Sequence, residues 1–329
     1  MKKKKVLITD RFATESAMWL DRQPHLEIVR ADSPSILPLE HLVSCQAMLI
    51  RSRTPIDEKL LKKARQLQVI ITATSGFDHI DLDACTKWGI TVMHTPSANI
   101  ESASQLTWAL VLAVANRLRE SRSLMESGEW LRDKVIGLEL SGRTYGIVGL
   151  GRIGSRVAKL AQAFGMNVMA YDPYLADSTF DAVNVQRQGF EELLKNSDVV
   201  SFHVPKTAET ERMLTRQQLS RLSRPLILVN TSRGSVIEEN DLIEALQKGW
   251  LRGAGLDVFA QEPLETSSEL LKLPQVVATP HVGANTEEAF FKASQLAAQK
   301  MVSFFLDGST SDTLPPRVPW YGATPLKAD

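Results

Sequence analysis

Short apolar runs alternate with longer mixed stretches along almost the whole chain. KVLIT (5–9), LEIV (26–29), AMLIR (47–51), VIITA (69–73) and ITVM (90–93) make one series. TYGIVG (144–149), NVMAYD (167–172), DVVSFHV (198–204), LILVN (226–230), GAGLDV (253–258) and VVATP (276–280) make a second. Each run has the length of a strand. An unbroken apolar run, rather than strict alternation, marks a strand covered on both faces, as in a parallel sheet. Helical patterns fall between the runs, around 13–21, 57–65 and 81–88. The repeated strand–helix order predicts an α/β fold with two Rossmann-like, doubly wound parallel sheets. Residues 101–119, ESASQLTWALVLAVANRLR, are apolar on more than one face, which suits a buried core helix and a subunit interface equally. The proline-rich, polar stretch 308–329 is expected to run extended over the surface or to fray.

Composition narrows the class without changing the fold. At 329 residues, 43% hydrophobic and 23% charged, the chain has room for two ordinary globular domains. Its 38 basic and 38 acidic residues cancel, and no basic stripe of the kind that binds nucleic acid is present. Cys45 and Cys85 have no partner motif, which argues against a disulfide framework or a zinc site and fits a reducing compartment. In MKKKKVLITD the apolar stretch is only Val6 to Ile8, too short for a signal-peptide core. The longest apolar segment, LTWALVLAVA (106–115), falls far short of a membrane span. A cytoplasmic protein with no membrane, metal or nucleic-acid partner is expected.

The segment 146–173, GIVGLGRIGSRVAKLAQAFGMNVMAYDP, carries the first chemistry. A strand leads into Gly149-x-Gly151-x-x-Gly154, a helix follows, and Asp172 ends the next strand. Alone, three glycines say little, but strand, helix and acid together mark a dinucleotide site. Gly149 permits the tight turn, Gly151 admits the pyrophosphate close to the backbone, and Gly154 lets helix and sheet pack closely. The helix N-terminus offers free N–H groups to the phosphates. Asp172 would accept from the adenosine ribose hydroxyls and repel a 2′-phosphate, which selects NAD over NADP.

Three further segments end strands of the second series, where ligands of open α/β sheets bind: VNTSRGSVIEENDL (229–242), GLDVFAQEPL (255–264) and TPHVGANTEEA (279–289). Together with the glycine fingerprint, RSRTPIDEKLLKKA (51–64) and SGFDHIDLDACTKWGI (75–90), they resemble the D-isomer-specific 2-hydroxyacid dehydrogenase family. The likeness extends over nearly the whole chain. It implies reversible hydride transfer between NAD(H) and a small 2-hydroxy or 2-oxo acid, with Arg233, Glu262 and His281 as catalytic residues. Each suits its role. Arg233 offers a planar fork to the substrate carboxylate, His281 exchanges the hydroxyl proton, and Glu262 holds the other ring nitrogen and stabilises the imidazolium.

The matching positions further imply cofactor contacts at Arg152, Ile153, His203, Pro205, Thr210, Thr231, Ser232, Arg233, Asp257, His281 and Gly283, with Asp257 near the nicotinamide amide. They imply substrate contacts at Arg51, Ser52, Ser75, Gly76, Asn99 and Arg233. The chain also departs from the family's pattern. Its carboxylate loop reads Thr74-Ser75-Gly76-Phe77-Asp78-His79 without the usual first glycine, Gln105 replaces an expected acid, and Asn285 stands where serine is frequent.

The resemblance divides the chain into a substrate domain (1–100), an inserted NAD-binding domain (101–289) and a helix and tail (290–329) that return to the first. It implies a homodimer with the 101–119 helix and its surroundings in the interface. The run from Arg51 to Ile90 is most similar to the phosphoglycerate dehydrogenase branch. Arg51 and Arg53, separated by one residue on an extended segment, would form an anion site supplemented by Arg132, and 3-phosphoglycerate is the substrate expected. Glyoxylate or hydroxypyruvate would suit a site in which Arg51 binds only the carboxylate. Erythronate-4-phosphate dehydrogenase shares the unusual 75–78 loop, although the chain is short for that enzyme's added domain. No C-terminal regulatory domain, and so no serine feedback through one, is expected. Glu262 argues against the formate dehydrogenase branch, which pairs its histidine with glutamine. A dinucleotide-sensing corepressor is the non-enzymatic alternative, without a basic segment or partner-binding extension to support it.

Overall fold

The computed structural model describes residues 3–34 and 36–318; the end of the polar tail, 319–329, lies outside the described residues. The chain divides into two compact units, one drawn from residues 3–34, 36–99 and 285–318, the other from Ile100–Ala284.

In the first unit, strands β1 (Lys4–Ile8), β2 (Leu26–Arg30), β3 (Ala47–Ile50), β4 (Val69–Thr72) and β5 (Thr91–Met93) are parallel and lie in the order β2-β1-β3-β4-β5. A short strand, Thr313–Leu314, adds antiparallel to β5. Every residue of β3 and β4 is buried, as their unbroken apolar runs require. One face packs Leu42, Ile56, Leu61 and Leu82. The other packs Leu20 with Ala293, Ala297 and Met301 of the long helix Glu287–Asp307, so this late segment completes the core of the early one. That helix starts on Thr286, whose hydroxyl accepts from the Ala289 N–H, and stops at Gly308 in the left-handed region. The helix expected over 57–65 is shorter, Glu58–Leu61, with Asp57 as its cap.

The second unit holds β6 (Thr144–Val148), β7 (Asn167–Tyr171), β8 (Gln186–Arg187), β9 (Val199–Phe202), β10 (Leu226–Asn230), β11 (Leu251–Leu256) and β12 (Val276–Ala278). All pair in parallel, in the order β12-β11-β10-β9-β6-β7-β8. The order reverses between β6 and β9, and ligands of such sheets bind at the carboxyl ends flanking that point. The 101–119 pattern resolves into a helix, Ile100–Ala115, that buries Trp108, Leu110, Val111 and Val114 in the core. It breaks at Arg117, which takes φ 51, and a second helix, Leu118–Glu126, follows. Among the described residues no helix is long and apolar enough to cross a membrane. Nor, among them, do three or more His, Cys, Asp or Glu side chains gather to hold a metal.

Candidate active site

At the end of β6, Gly149 turns the chain with φ 91, and a Cβ there would lie 2.7 Å from the His203 carbonyl oxygen. A Cβ on Gly154 would meet the Gly149 carbonyl at 2.1 Å, so helix Arg152–Ala163 packs against the turn only because the position is bare. Gly151 differs: nothing lies within 4 Å of where its Cβ would be. That open space sits at the helix N-cap, which has no side-chain cap. Arg152 and Ile153 follow in the first turn. The Asp172 carboxylate accepts from the Leu150 N–H and the Tyr174 N–H, both at 3.0 Å. Burial pushes its pKa up, against the pull of those two hydrogen bonds. An uncapped helix start, an open glycine and a fixed carboxylate fit a dinucleotide, with pyrophosphate at the first and ribose at the last.

Across the sheet's switch point, His203 takes its N–H to the Val148 carbonyl (2.8 Å) and its Nε2 to the Ser201 hydroxyl (2.8 Å). Burial pushes its pKa down to about 3, so the ring is neutral. Thr210 closes the 205–210 turn by donating its hydroxyl to the Pro205 carbonyl at 2.6 Å.

The loop after β10 is organised by Asn230, 1% exposed. Its Oδ1 accepts from the Ser232 N–H (3.0 Å) and hydroxyl (2.8 Å), and its Nδ2 donates to the Arg233 carbonyl (2.9 Å). Thr231 pairs its hydroxyl with that of Thr107 at 2.9 Å. The Arg233 guanidinium donates to the Ser232 carbonyl at 2.7 Å. Gly234 follows, and a Cβ there would fall 1.9 Å from the Phe259 carbonyl carbon and oxygen. The Arg233 loop therefore rests backbone to backbone on the loop after β11. Neither Asn230 nor Gly234 stood out in the sequence; an Asn followed by Thr and Ser at a strand end is the turn signal that reveals the first.

His281 and Glu262 are brought together, Nδ1 to Oε2, at 2.7 Å. The other Glu262 oxygen accepts from the Phe259 N–H at 3.1 Å, which fixes the carboxylate. With Nδ1 occupied by Glu262, Nε2 is the nitrogen left to exchange a proton. The His281 backbone is in the left-handed region, φ 53, a cost of about 1–2 kcal/mol for a side chain with a Cβ. Asp257 holds that conformation. Its backbone carbonyl accepts from the His281 N–H at 2.9 Å. Its carboxylate, 1% exposed as a residue, accepts from the Thr279 hydroxyl (2.6 Å), the Val282 N–H (2.8 Å) and the Gly283 N–H (2.8 Å). Both oxygens are thus engaged in clamping the histidine loop, a use the sequence did not suggest.

The remaining candidates belong to the first unit. Arg51 and Ser52 follow β3 in a turn closed by the Thr54 N–H on the Arg51 carbonyl (3.1 Å). The expected Arg51–Arg53 anion pair is not formed: Arg53 lies in an ion pair with Asp10, its Nε 3.1 Å from Oδ2. The Ser75 carbonyl accepts from His94 Nδ1 (2.9 Å), and the Gly76 carbonyl from the Thr74 hydroxyl (2.8 Å). Asn99 ends the first segment of this unit. Arg132, in the second unit, sits exposed in a short 3-10 turn.

Residues 108–283 match the NAD binding domain of the D-isomer specific 2-hydroxyacid dehydrogenases. A D-3-phosphoglycerate dehydrogenase of Methanocaldococcus jannaschii is 37% identical over 298 residues, 90% of this chain and 56% of that protein. The chain thus spans about half the length of the phosphoglycerate dehydrogenases it matches. A glyoxylate reductase of Thermococcus litoralis is also 37% identical, over 92% of this chain and 94% of its own. A crystal structure of D-lactate dehydrogenase from Aquifex aeolicus, complexed with NAD and lactic acid, superposes with a TM-score of 0.83 at 31% identity, covering 92% of this chain and 96% of that one. On this match and these relatives, the chain belongs to the D-isomer specific 2-hydroxyacid dehydrogenase family.

Proposed function

We propose that the chain is an NAD-dependent D-2-hydroxyacid dehydrogenase and that its substrate is 3-phosphoglycerate. The observation that carries the activity is the fixed Glu262–His281 pair beside the Arg233 loop. Arg233 binds the substrate carboxylate. In the oxidative direction the C2 hydroxyl proton passes to His281 Nε2 while Glu262, on Nδ1, balances the imidazolium. The bound cofactor supplies hydride exchange at C2; the 2-oxo acid is the product. Gly149, Gly151, Arg152, Ile153 and Gly154 hold the pyrophosphate and Asp172 the ribose, with Pro205, Thr210, Thr231 and Ser232 shaping the walls of this pocket.

The phosphorylated substrate is supported by the likeness to the phosphoglycerate dehydrogenases and by Arg51. One observation favours an unphosphorylated acid such as glyoxylate or hydroxypyruvate: Arg53 is already neutralised by Asp10. NADH oxidation with a panel of 2-oxo acids, each with and without phosphate, tests the reading. A preference for 3-phosphohydroxypyruvate is expected, and a preference for the bare acids would overturn it.

The working form is a homodimer in the cytoplasm. Exposed Leu118, Met125, Trp130, Leu131 and Ile136, clustered in sequence beyond the core helix, support the first. Two free, buried cysteines support the second. Light scattering that returned a monomer mass would refute the dimer.

A further inference from the structure

Two arginines of the first unit share one aromatic ring. Arg11, just past β1, and Arg51, just past β3, lie over Phe290 in the first turn of the Glu287–Asp307 helix, with guanidinium carbons 5.5 and 5.0 Å from the ring centroid. Cation–π attraction holds each of them, but it does not cancel two like charges on one side chain. The nearby carboxylate is taken. Asp10 is paired with Arg53 and also accepts the Arg11 backbone N–H at 2.6 Å. Neither Arg11 nor Arg51 has a salt-bridge partner among the described residues, and Arg51 Nη1 is buried without a hydrogen-bond acceptor. A buried, unmet donor on a charged group is costly and rare in native proteins, and it points to a missing partner.

Desolvation presses the Arg51 pKa down, and the charges of Arg11 and Arg53 add to that pressure while Asp10 opposes it. An anion placed against both guanidinium groups would relieve the burial and the repulsion together. A phosphate monoester carries nearly two negative charges at neutral pH and three acceptor oxygens, which matches two unpaired guanidinium forks better than one carboxylate does.

We propose that Arg11, Arg51 and Phe290 form a phosphoryl-binding site, with Arg11 rather than Arg53 as the second cation. The assignment rests on the reading above that the substrate is a phosphorylated acid. Phe290 fixes the direction of both forks, and Arg53 serves to keep Asp10 from competing with the phosphate.

The test compares the kcat/KM ratio of 3-phosphohydroxypyruvate to hydroxypyruvate in wild type, Arg11→Gln and Arg53→Gln. A parallel measurement follows the melting temperature of the cofactor-free chain with inorganic phosphate against chloride of equal ionic strength. Losing one charge-assisted contact to phosphate should lower the ratio at least ~10-fold in Arg11→Gln. Stabilisation by phosphate should occur in wild type and vanish in Arg11→Gln. A wild-type preference that survives Arg11→Gln but disappears in Arg53→Gln would overturn the assignment and leave the substrate reading intact. Absence of any wild-type preference would defeat the substrate reading. Arg11-dependent stabilisation by phosphate would then still support the site, and its absence would end both.

Discussion

Replacing Asp257 by Asn should damage stability and catalysis together, with little room for one without the other. The Asp257 carboxylate accepts three hydrogen bonds at 2.6–2.8 Å from Thr279, Val282 and Gly283, in a residue 1% exposed. An amide of the same shape keeps one oxygen and turns an NH₂ toward a donor. At least one of the Val282 and Gly283 N–H groups is then left unmet, at about 1–3 kcal/mol, and the retained contacts lose their charge assistance. A cost of about 2 kcal/mol in a unit of this size lowers Tm by about 4–8 °C. The clamped segment flanks His281 on both sides, and its left-handed backbone is held by that clamp. A shift of the ring by about 1 Å costs on the order of 10²-fold in rate, so kcat should fall between ~10- and ~100-fold. Urea and thermal denaturation of the cofactor-free protein, with steady-state kinetics, measure both effects. An Asn variant with wild-type Tm and kcat but a raised KM for NADH would refute the clamp and return Asp257 to the role of a nicotinamide contact.

Three other outcomes follow from the site. His281→Ala should lower kcat at least ~10²-fold while NADH affinity, read by fluorescence titration, changes little; near-normal turnover would remove His281 from the mechanism. NADH should far outperform NADPH in kcat/KM, because backbone N–H groups pin the Asp172 carboxylate where it cannot swing from a 2′-phosphate, and equal values would contradict that role. His203 has a folded pKa of about 3, below its ordinary 6.5, so the unfolded chain binds the extra proton between those values. Stability from this residue is complete above pH 6.5 and is lost as pH falls toward 3, at up to about 1.4 kcal/mol per pH unit. Urea midpoints between pH 7 and 4.5 should therefore drop more steeply in wild type than in His203→Asn, and parallel lines would rule His203 out as the cause.

Both sheets were readable as apolar runs because their central strands are covered on two faces, and every run quoted from the sequence lies on a strand. The strand Gln186–Arg187 was not, since two polar residues at a sheet edge carry no apolar signal. The helix break at Arg117 was equally silent: a left-handed arginine stands where glycine or proline would have announced a turn. Residues carried by local motifs, such as the glycine turn and the acid after β7, could be placed from spacing alone. Partners that meet only after folding could not. Asp10 and Arg53 are 43 residues apart, and Asp257 reaches 22 to 26 residues forward to its three donors. Charge at either position says nothing about whether it will face a ligand or another side chain.

The contact between Gly234 and Phe259 limits how this chain can be redesigned. With no space for even a methyl group, the loop bearing Arg233 and the loop leading to Glu262 behave as one piece of backbone. A library that varied the length of either loop alone would mostly yield chains that fail to close, while grafting both from one relative would preserve the fit. Around β3 and Phe290 in the first unit, by contrast, side chains meet side chains and can be exchanged without forcing two main chains apart.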